Sequence, residues 1–381
     1  GSGKTEVYLQ VMYDMLKQGK QVLVLVPEIG LTPQTVARFK SRFHCDVALL
    51  HSGLNDSKRL QAWQQAQTVK ASIIIVTRSA IYTPLPRLGL IILDEEHNLS
   101  YKQQEGFRYH PRDVALYRGH LQGCPVILGS ATPSIDSYHL VESGKLHLLE
   151  LNQRAGVAVL PKMHVIDLKI AKKKHGISQS LLEQIKHTLE RKEQVLIFLN
   201  RRGYAPVLMC ESCGWQANCP HCDAHFTLHS QPYHYLHCHH CGTINRLPEH
   251  CPACQKQSLK TIGAGTAKLE EHLQELFPHN EVIRVDRDST SRVGSWQKIY
   301  DRIQQNKPSI LLGTQMLAKG HHFPHVTLVA ILDIDAGLLS VDPRAPERTA
   351  QLIVQVAGRA GRGEHKGSVY LQSLRPDHPM L

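Results

Sequence analysis

Lys4 and Thr5 close the segment Gly1-Ser2-Gly3-Lys4-Thr5, and Asp94-Glu95-Glu96-His97 directly follows the apolar run Leu90-Ile91-Ile92-Leu93. Far downstream stands Gln355-Val356-Ala357-Gly358-Arg359-Ala360-Gly361-Arg362. These residue types suit hydrolysis of a nucleoside triphosphate. A glycine-rich turn that feeds a helix offers N-terminal amides to phosphate, Lys4 reaches the β- and γ-phosphates, and Thr5 supplies a hydroxyl to Mg²⁺. Asp94, at the carboxyl end of a buried strand, suits the metal's water shell, and Glu95 suits orienting or deprotonating the attacking water. Arg359 and Arg362 match the charge that develops on the γ-phosphoryl group. A short GKT match or an acidic pair alone is weak. Their order and spacing point to an ATP-driven motor.

A full phosphate-loop motif reads G-x-x-x-x-G-K-[ST], so its first glycine is expected before residue 1. The sequence therefore reads as a piece of a longer chain. The strand leading into the loop is expected to lie outside it, which predicts weakened nucleotide binding by this segment alone.

A second chemistry is written in the cysteines. Eight of the ten fall in C-x-x-C pairs, Cys210/Cys213, Cys219/Cys222, Cys238/Cys241 and Cys251/Cys254. Four thiolates close one tetrahedral zinc site, so eight fit two Zn²⁺ with no position open for catalysis. Disulfides compete, but nothing at the N-terminus resembles a signal peptide and a cytoplasmic chain keeps its thiols reduced. The pairs can combine in three ways. The spacing from Cys222 to Cys238 favours a nested arrangement, in which the outer pairs share the second ion. His221, His225, His234, His237, His239 and His240 lie nearby and are expected to be plain polar residues. Cys45 and Cys124 stand apart as expected core residues.

The elements that must position these groups follow from composition and periodicity. The chain has 381 residues, 42% apolar and 20% charged, which is globular and long enough for two or three domains. A net charge of +11 and a pI near 9.1 suit a polyanionic partner, and a basic solvated surface satisfies them equally. No apolar run approaches the ~20 residues of a membrane span, so no membrane partner and a cytoplasmic location are expected.

A helix is predicted from about Lys4, with Val7, Val11 and Met15 on one face, ending near Gly19. Strands are predicted at Val22–Val26, Ser72–Val76, Leu90–Leu93 and Val126–Leu128. A second alternation begins with a helix around Leu181, Ile185 and Leu189. Strands follow at Val195–Leu199, Val282–Val285, Ile310–Leu312, Leu328–Leu332 and Val369–Leu371. Continuous apolar strands between helices imply α/β lobes with parallel sheets covered on both faces and phosphate at the strands' carboxyl ends. The expected division is lobe 1 over 1–150, a linker over 151–176 carrying the solvated triplet Lys172-Lys173-Lys174, and lobe 2 over 177–381. The two-zinc insertion is expected over 205–260 within lobe 2.

These motifs together resemble the PriA family (primosomal protein N′), bacterial replication-restart DNA helicases of superfamily 2. The resemblance rests also on residues 25–34 (LVPEIGLTPQ), Thr77-Arg78-Ser79-Ala80, residues 100–104 (SYKQQ), Gly129-Ser130-Ala131-Thr132-Pro133, residues 198–204 (FLNRRGY) and residues 313–320 (GTQMLAKG). The eight-cysteine insertion is its most specific part. The resemblance implies two RecA-like helicase lobes with ATP between them, served by Gly1, Ser2, Gly3, Lys4, Thr5, Asp94 and Glu95 from one and Gln355, Arg359 and Arg362 from the other. It implies ATP-dependent 3′ to 5′ unwinding of DNA, forked or single-stranded, in replication restart and primosome assembly. Other primosome proteins and single-stranded DNA-binding protein are the implied partners.

It also implies that Ser130 and Thr132 link nucleotide state to lobe movement. Residues 101–109, with Tyr101, Lys102, Phe107, Arg108 and Tyr109, resemble the aromatic-rich loop that couples DNA to hydrolysis, together with Arg78. Aromatic faces there would stack on unpaired bases, and covering the core is the alternative for Tyr101, Phe107 and Tyr109. The sequence departs from the family at Val76, where Gly is usual, at Ala267, where Glu is usual, and at Pro343, in place of an aromatic residue. These positions bear on DNA contacts and leave the hydrolytic motifs intact. The family's N-terminal DNA-binding domains and small C-terminal domain are expected to lie outside this sequence. The alternatives are another superfamily 2 nucleic-acid translocase and a zinc-bearing scaffold with an inactive ATPase. A zinc hydrolase or deaminase would need a three-ligand site beside a catalytic glutamate.

Overall fold

The computed structural model describes the chain apart from residues 1–2, 28–32, 52, 104–105, 153–159, 201–207, 223–225, 230–234, 239–240, 262–265, 287–288, 290–294, 315–316, 318–322, 339, 341 and 362–365. Gly1, Ser2, Arg362, His225, His234, His239 and His240 therefore lie outside the described residues, with parts of the motifs over 25–34, 100–104, 198–204 and 313–320. The chain divides into two compact units, Gly1–Gly156 and Val157–Leu381.

In the first unit, helix α1 (Lys4–Lys17) precedes strand β1 (Gln21–Leu25), followed by α2 (Pro33–Phe43), β2 (Val47–Leu50), α3 (Asp56–Gln67), β3 (Ile73–Val76) and β4 (Leu88–Asp94). Helix α4 (Pro111–Gln122), β5 (Val126–Gly129) and α5 (Ile135–Glu142) complete it. The strands form one parallel sheet in the order β2-β3-β1-β4-β5. Alternate residues go to opposite faces, as the two-residue strand period requires: Val22, Val24, Ile73, Ile75, Leu90 and Ile92 pack under α1, and Leu23, Leu25, Ile74, Val76, Ile91 and Leu93 enter the other core. Helix α1 is rotated from the predicted face. Tyr8, Leu9 and Met12 are its buried residues, whereas Val7 is exposed and Val11 and Met15 are only partly buried. Tyr8 competes successfully with Val7 for the sheet because its hydroxyl finds a partner there, as described below.

The second unit begins with β6 (Lys162–Asp167), a small β7–β8 hairpin (Lys173–Lys174, Ile177–Ser178), α6 (Gln179–Glu190) and β9 (Gln194–Leu199). After the cysteine-rich segment come α7 (Thr266–Leu276), β15 (Glu281–Val285), α8 (Ser295–Ile303), β16 (Ser309–Gly313), β17 (Val326–Leu332), a helix over Ala345–Ala357 and β18 (Ser368–Ser373). The large sheet is again parallel, in the order β15-β16-β9-β17-β18-β6, with apolar clusters on both faces. The expected linker over 151–176 thus contains an edge strand, β6, in register with all six residues of β18. Its solvent-facing residues give it no continuous apolar run, and pairing with β18 is what defines it.

Within the cysteine-rich segment, β10 (Leu208–Cys210) pairs antiparallel with β14 (Leu259–Thr261), which brings the two ends together. Between them β11 (Thr227–His229), β12 (Tyr235–His237) and β13 (Ile244–Arg246) form a meander. Its small core holds Leu208, Ala217, Phe226 and Leu236 with Cys219 and Cys238. A core of that size needs a further cross-link.

Candidate active site and metal centres

Strand β4 is fully buried until its last residue, Asp94, whose partner in β5 is Gly129. At the same edge α1 starts at Lys4, after Gly3 in a left-handed conformation with φ 87°. Lys4 Nζ lies 3.0 Å from Glu95 Oε1. One helical turn on, on the same face, the Tyr8 hydroxyl donates to Asp94 Oδ1 at 3.0 Å. Burial raises the pKa of Asp94 above the ordinary carboxylate value, and the Glu95 charge adds to this while Lys4 and the Tyr8 hydrogen bond oppose it. Burial, and then the Asp94 charge, likewise keep the Tyr8 phenol protonated. Two carboxylates beside one ammonium form a centre with room for a further positive charge. Asp94 and the Thr5 hydroxyl are hard oxygen donors of the kind Mg²⁺ takes.

Glu95 itself has φ 51°, a left-handed conformation costly for a non-glycine residue. That turn sends the successive acids of this motif in different directions. Glu95 faces Lys4. Glu96 is 2% exposed and accepts from Ser134 N–H at 2.7 Å, Ser134 Oγ at 2.9 Å and Ser137 Oγ at 2.8 Å. Its role as the tie between the β4 end and the start of α5 was not anticipated. The only sequence signal is a third acid followed, on the next strand's exit, by Ser134-x-x-Ser137, a helix-capping pattern.

His97 shares a 2.6 Å hydrogen bond between its Nδ1 and Ser130 Oγ, while its Nε2 lies 3.7 Å from Glu95 Oε2. Ser130 Oγ also accepts from Thr132 N–H at 3.0 Å. A chain of polar contacts therefore runs from Glu95 through His97 to Ser130 and Thr132.

The segment after this motif is divided between core and solvent. Tyr101 is fully buried, and its hydroxyl donates to the Asp94 carbonyl at 2.7 Å. It has no face to offer a base, so the stacking expected of it does not fit this position; it braces the end of strand β4 instead. Phe107 is 80% exposed, with Tyr109 at 6.2 Å between ring centroids and Arg108 exposed beside it. Arg78 Nη1 donates to the carbonyls of Ser100 and Lys102 at 3.3 and 3.1 Å, and the Tyr109 hydroxyl donates to the Arg78 carbonyl at 3.4 Å. Arg78 is thus a clamp on this loop.

In the second unit Gln355 lies in the last turn of helix Ala345–Ala357, and Arg359 follows it by four residues and is buried. Buried Asp335 was not singled out by sequence. Its carboxylate accepts from Ser373 Oγ at 2.6 Å and Leu374 N–H at 2.8 Å, joining β17's exit to the end of β18.

The eight paired cysteines gather into two clusters, Cys210, Cys213, Cys251 and Cys254, and Cys219, Cys222, Cys238 and Cys241, with all sulfurs of a cluster within 4.8 Å of one another. This is the nested arrangement. Sulfur separations of 3.4 to 3.6 Å are far beyond a disulfide bond. They are close to the ~3.8 Å edge of a tetrahedron built on Zn–S bonds of about 2.3 Å. Local turns prepare the sulfurs. The N–H groups of Gly214, Gly242 and Gln255 bond back to the carbonyls of Cys210, Cys238 and Cys251, with left-handed φ of 75°, 81° and 57°. Ser258 Oγ at 3.0 Å from Cys210 Sγ and Thr243 Oγ1 at 3.1 Å from Cys241 Sγ can donate to thiolates. The donor sets therefore fit zinc. Neither cluster includes a histidine among the described residues. Cys45 and Cys124 pack half-buried against the first unit's two cores.

The chain is similar to known proteins. The DEAD/DEAH box helicase family matches residues 1–141 and the helicase conserved C-terminal domain matches residues 260–364. The replication restart protein PriA of Haemophilus influenzae is 54% identical over 381 residues, covering 100% of this chain and 52% of that protein. That of Bacillus subtilis is 44% identical over 381 residues, covering 99% and 47%. The chain spans about half the length of the curated relatives it matches. Among solved structures, the DUF1998 helicase MrfA bound to DNA and AMPPNP superposes with a TM-score of 0.57 at 12% identity, covering 100% of this chain and 46% of that one. S. cerevisiae Dbp5 bound to RNA and ADP BeF3 gives 0.56 at 14% identity, covering 98% and 77%. At such identities the likeness is one of fold, two RecA-like units.

Proposed function

This chain belongs to the PriA family of replication restart proteins, and on that premise we propose that it is the motor segment of an ATP-dependent DNA helicase. The observation that carries the reading is the convergence of Lys4, Tyr8, Asp94 and Glu95 at one sheet edge, from positions more than eighty residues apart. Lys4 binds the β- and γ-phosphates, so its present contact with Glu95 is exchanged for phosphate when nucleotide enters. Glu95, released, orients the attacking water and takes its proton. Asp94, held by Tyr8, and Thr5 would hold Mg²⁺, whose charge would offset that developing on the phosphate. Gly1, Ser2 and Gly3 line the phosphate turn; Gln355 senses nucleotide, and Arg359 and Arg362 offset charge on the γ-phosphoryl group. Domain limits of 1–150 and 177–381 for the two motor lobes, with 205–260 as the insertion, remain part of this proposal.

Binding of single-stranded or forked DNA is signalled through Arg78, Tyr101, Lys102, Phe107, Arg108 and Tyr109, and on through His97 to Ser130 and Thr132. The whole protein unwinds DNA 3′ to 5′ in replication restart, acting with primosome proteins and single-stranded DNA-binding protein. Each chain binds two Zn²⁺, one per cysteine cluster, as closed structural sites. The experiment is ATP turnover by the whole protein with and without DNA. Glu95→Gln and Lys4→Ala are expected to abolish it while zinc content and DNA binding persist, and near-native turnover by either variant would overturn the assignment.

A further inference from the structure

Strands β6 and β18 run parallel and in register up to Ile166–Gln372 and Asp167–Ser373. Two residues beyond those partners the chain carries Lys169 and Arg375. Both lie in the turns that leave the sheet's carboxyl edge, and both line the same cleft there. Neither side chain makes an ion pair or hydrogen bond with a described residue. Arg375 is near enough to buried Asp335 to favour its ionisation, but that carboxylate's oxygens are taken by Ser373 and Leu374.

These two cations and Leu374 line a cleft of about 370 Å³. The zinc module contributes Cys213, Gly214, Trp215, Gln216 and Asn218 to the same lining. Trp215 is well fixed. Its carbonyl accepts the Cys210 N–H at 2.8 Å, its neighbour Gln216 bridges to Met209, and its indole is half-buried against the module's small core. Two like charges lining one cleft repel, and an anion between them removes that cost. A flat indole and amide side chains beside the anion site suit a planar heteroaromatic ring with hydrogen-bonding edges. Phosphate and base joined in one unit describe a nucleotide.

We propose that this cleft holds one nucleotide of single-stranded DNA, with its phosphate between Lys169 and Arg375 and its base against Trp215. The proposal rests on the motor reading above and gives the zinc module a direct part in holding the strand. An acidic peptide would satisfy the cations, but the fixed indole at their side favours a base.

The test uses the whole protein as native, Lys169→Ala/Arg375→Ala, Trp215→Phe and Trp215→Ala forms, titrated with a fluorescein-labelled oligo(dT) across a salt series. The double variant is expected to lower the slope of log K against log salt by about 0.7, the value of one phosphate neutralised on a single strand. Trp215→Ala is expected to bind about ten-fold more weakly, and Trp215→Phe to keep most of the affinity. Zinc content and the unfolding midpoint, equal to native, certify the fold. Should Trp215→Ala lose zinc, photocrosslinking of native protein to 5-iodo-dU carries the test, with the adduct expected on Trp215. Native affinity and salt slope in a folded double variant would overturn the proposal, as would cleft-dependent binding of a labelled acidic peptide without any such dependence for oligo(dT). DNA-stimulated ATP turnover by the native protein reads the motor assignment separately, so that assignment can stand when the cleft fails.

Discussion

The Tyr8 hydroxyl reaches Asp94 across the first sheet's edge only because residue 129 is glycine. A Cβ at Gly129 would lie 1.5 Å from the Tyr8 oxygen, where the hydrogen bond to Asp94 measures 3.0 Å. Helix α1, β4 and β5 are therefore locked together at the proposed metal ligand.

Tyr8→Phe removes a donor to a carboxylate and is expected to cost about 1–2 kcal/mol of stability, with a lower kcat. Gly129→Ala overpacks the same spot and is expected to cost about 1–3 kcal/mol. In the double variant the losses should be less than additive, because the oxygen at 1.5 Å is gone and only the ring carbon at 2.7 Å still crowds the new Cβ. Calorimetric unfolding of the three variants checks this, and strict additivity would count against a shared contact.

Phe107 and Tyr101 are expected to separate. Phe107→Ala should weaken DNA-stimulated turnover about ten-fold and leave the unfolding midpoint within error of native, because the ring is in solvent. Tyr101→Phe, which deletes the bond to the Asp94 carbonyl, should lower basal and stimulated turnover together. Steady-state kinetics with and without oligonucleotide distinguish the two patterns.

Metal analysis should find two zinc ions per chain. Cys222→Ser and Cys238→Ser should each lose the ion of the Cys219-containing cluster, and Cys213→Ser the other. Ser258→Ala and Thr243→Val, which remove hydroxyls next to single sulfurs, should weaken zinc binding by about 10–100-fold, read by competition with a chelator. A native protein saturated at one zinc would reject the two-ion reading.

His110 caps α4 by accepting the Arg112 N–H on Nδ1 at 3.2 Å. Burial, and then the Arg112 charge, lower its pKa, with Asp113, Glu96 and Asp136 opposing. The unfolded chain therefore binds this proton more readily than the folded one. The contribution is present above the ordinary histidine value near 6.5 and is lost as pH falls through the lowered value. His110→Asn keeps an acceptor at the cap and should flatten the fall in unfolding midpoint between neutral pH and pH ~5. An unchanged pH profile would show that other groups dominate there.

Much of this was legible from residue order. The runs Val22–Val26, Leu90–Leu93 and Leu328–Leu332 gave continuous strands because a sheet covered on both faces asks every residue to be apolar. Strand β6 was hidden in an expected linker, since an exposed edge strand carries no such run. The face of α1 departs from the Val7, Val11 and Met15 stripe because the Tyr8 hydroxyl pairs with Asp94, a contact between segments that no local period carries.

The sequence by itself determined which reactive groups are present: a lysine after a glycine-rich turn, acids at a strand end, and eight thiols in close pairs. Those signals lie within a few residues, where backbone geometry alone sets the distances. Only tertiary structure decided who meets whom. That Lys4 faces Glu95, that Glu96 turns inward to Ser134 and Ser137, that Tyr101 is core while Phe107 is surface, and that Cys210 joins Cys251 and Cys254, depend on packing between segments 38 to 91 residues apart. No local period encodes such contacts; they follow from sheet order, strand register and the one glycine that lets Tyr8 through.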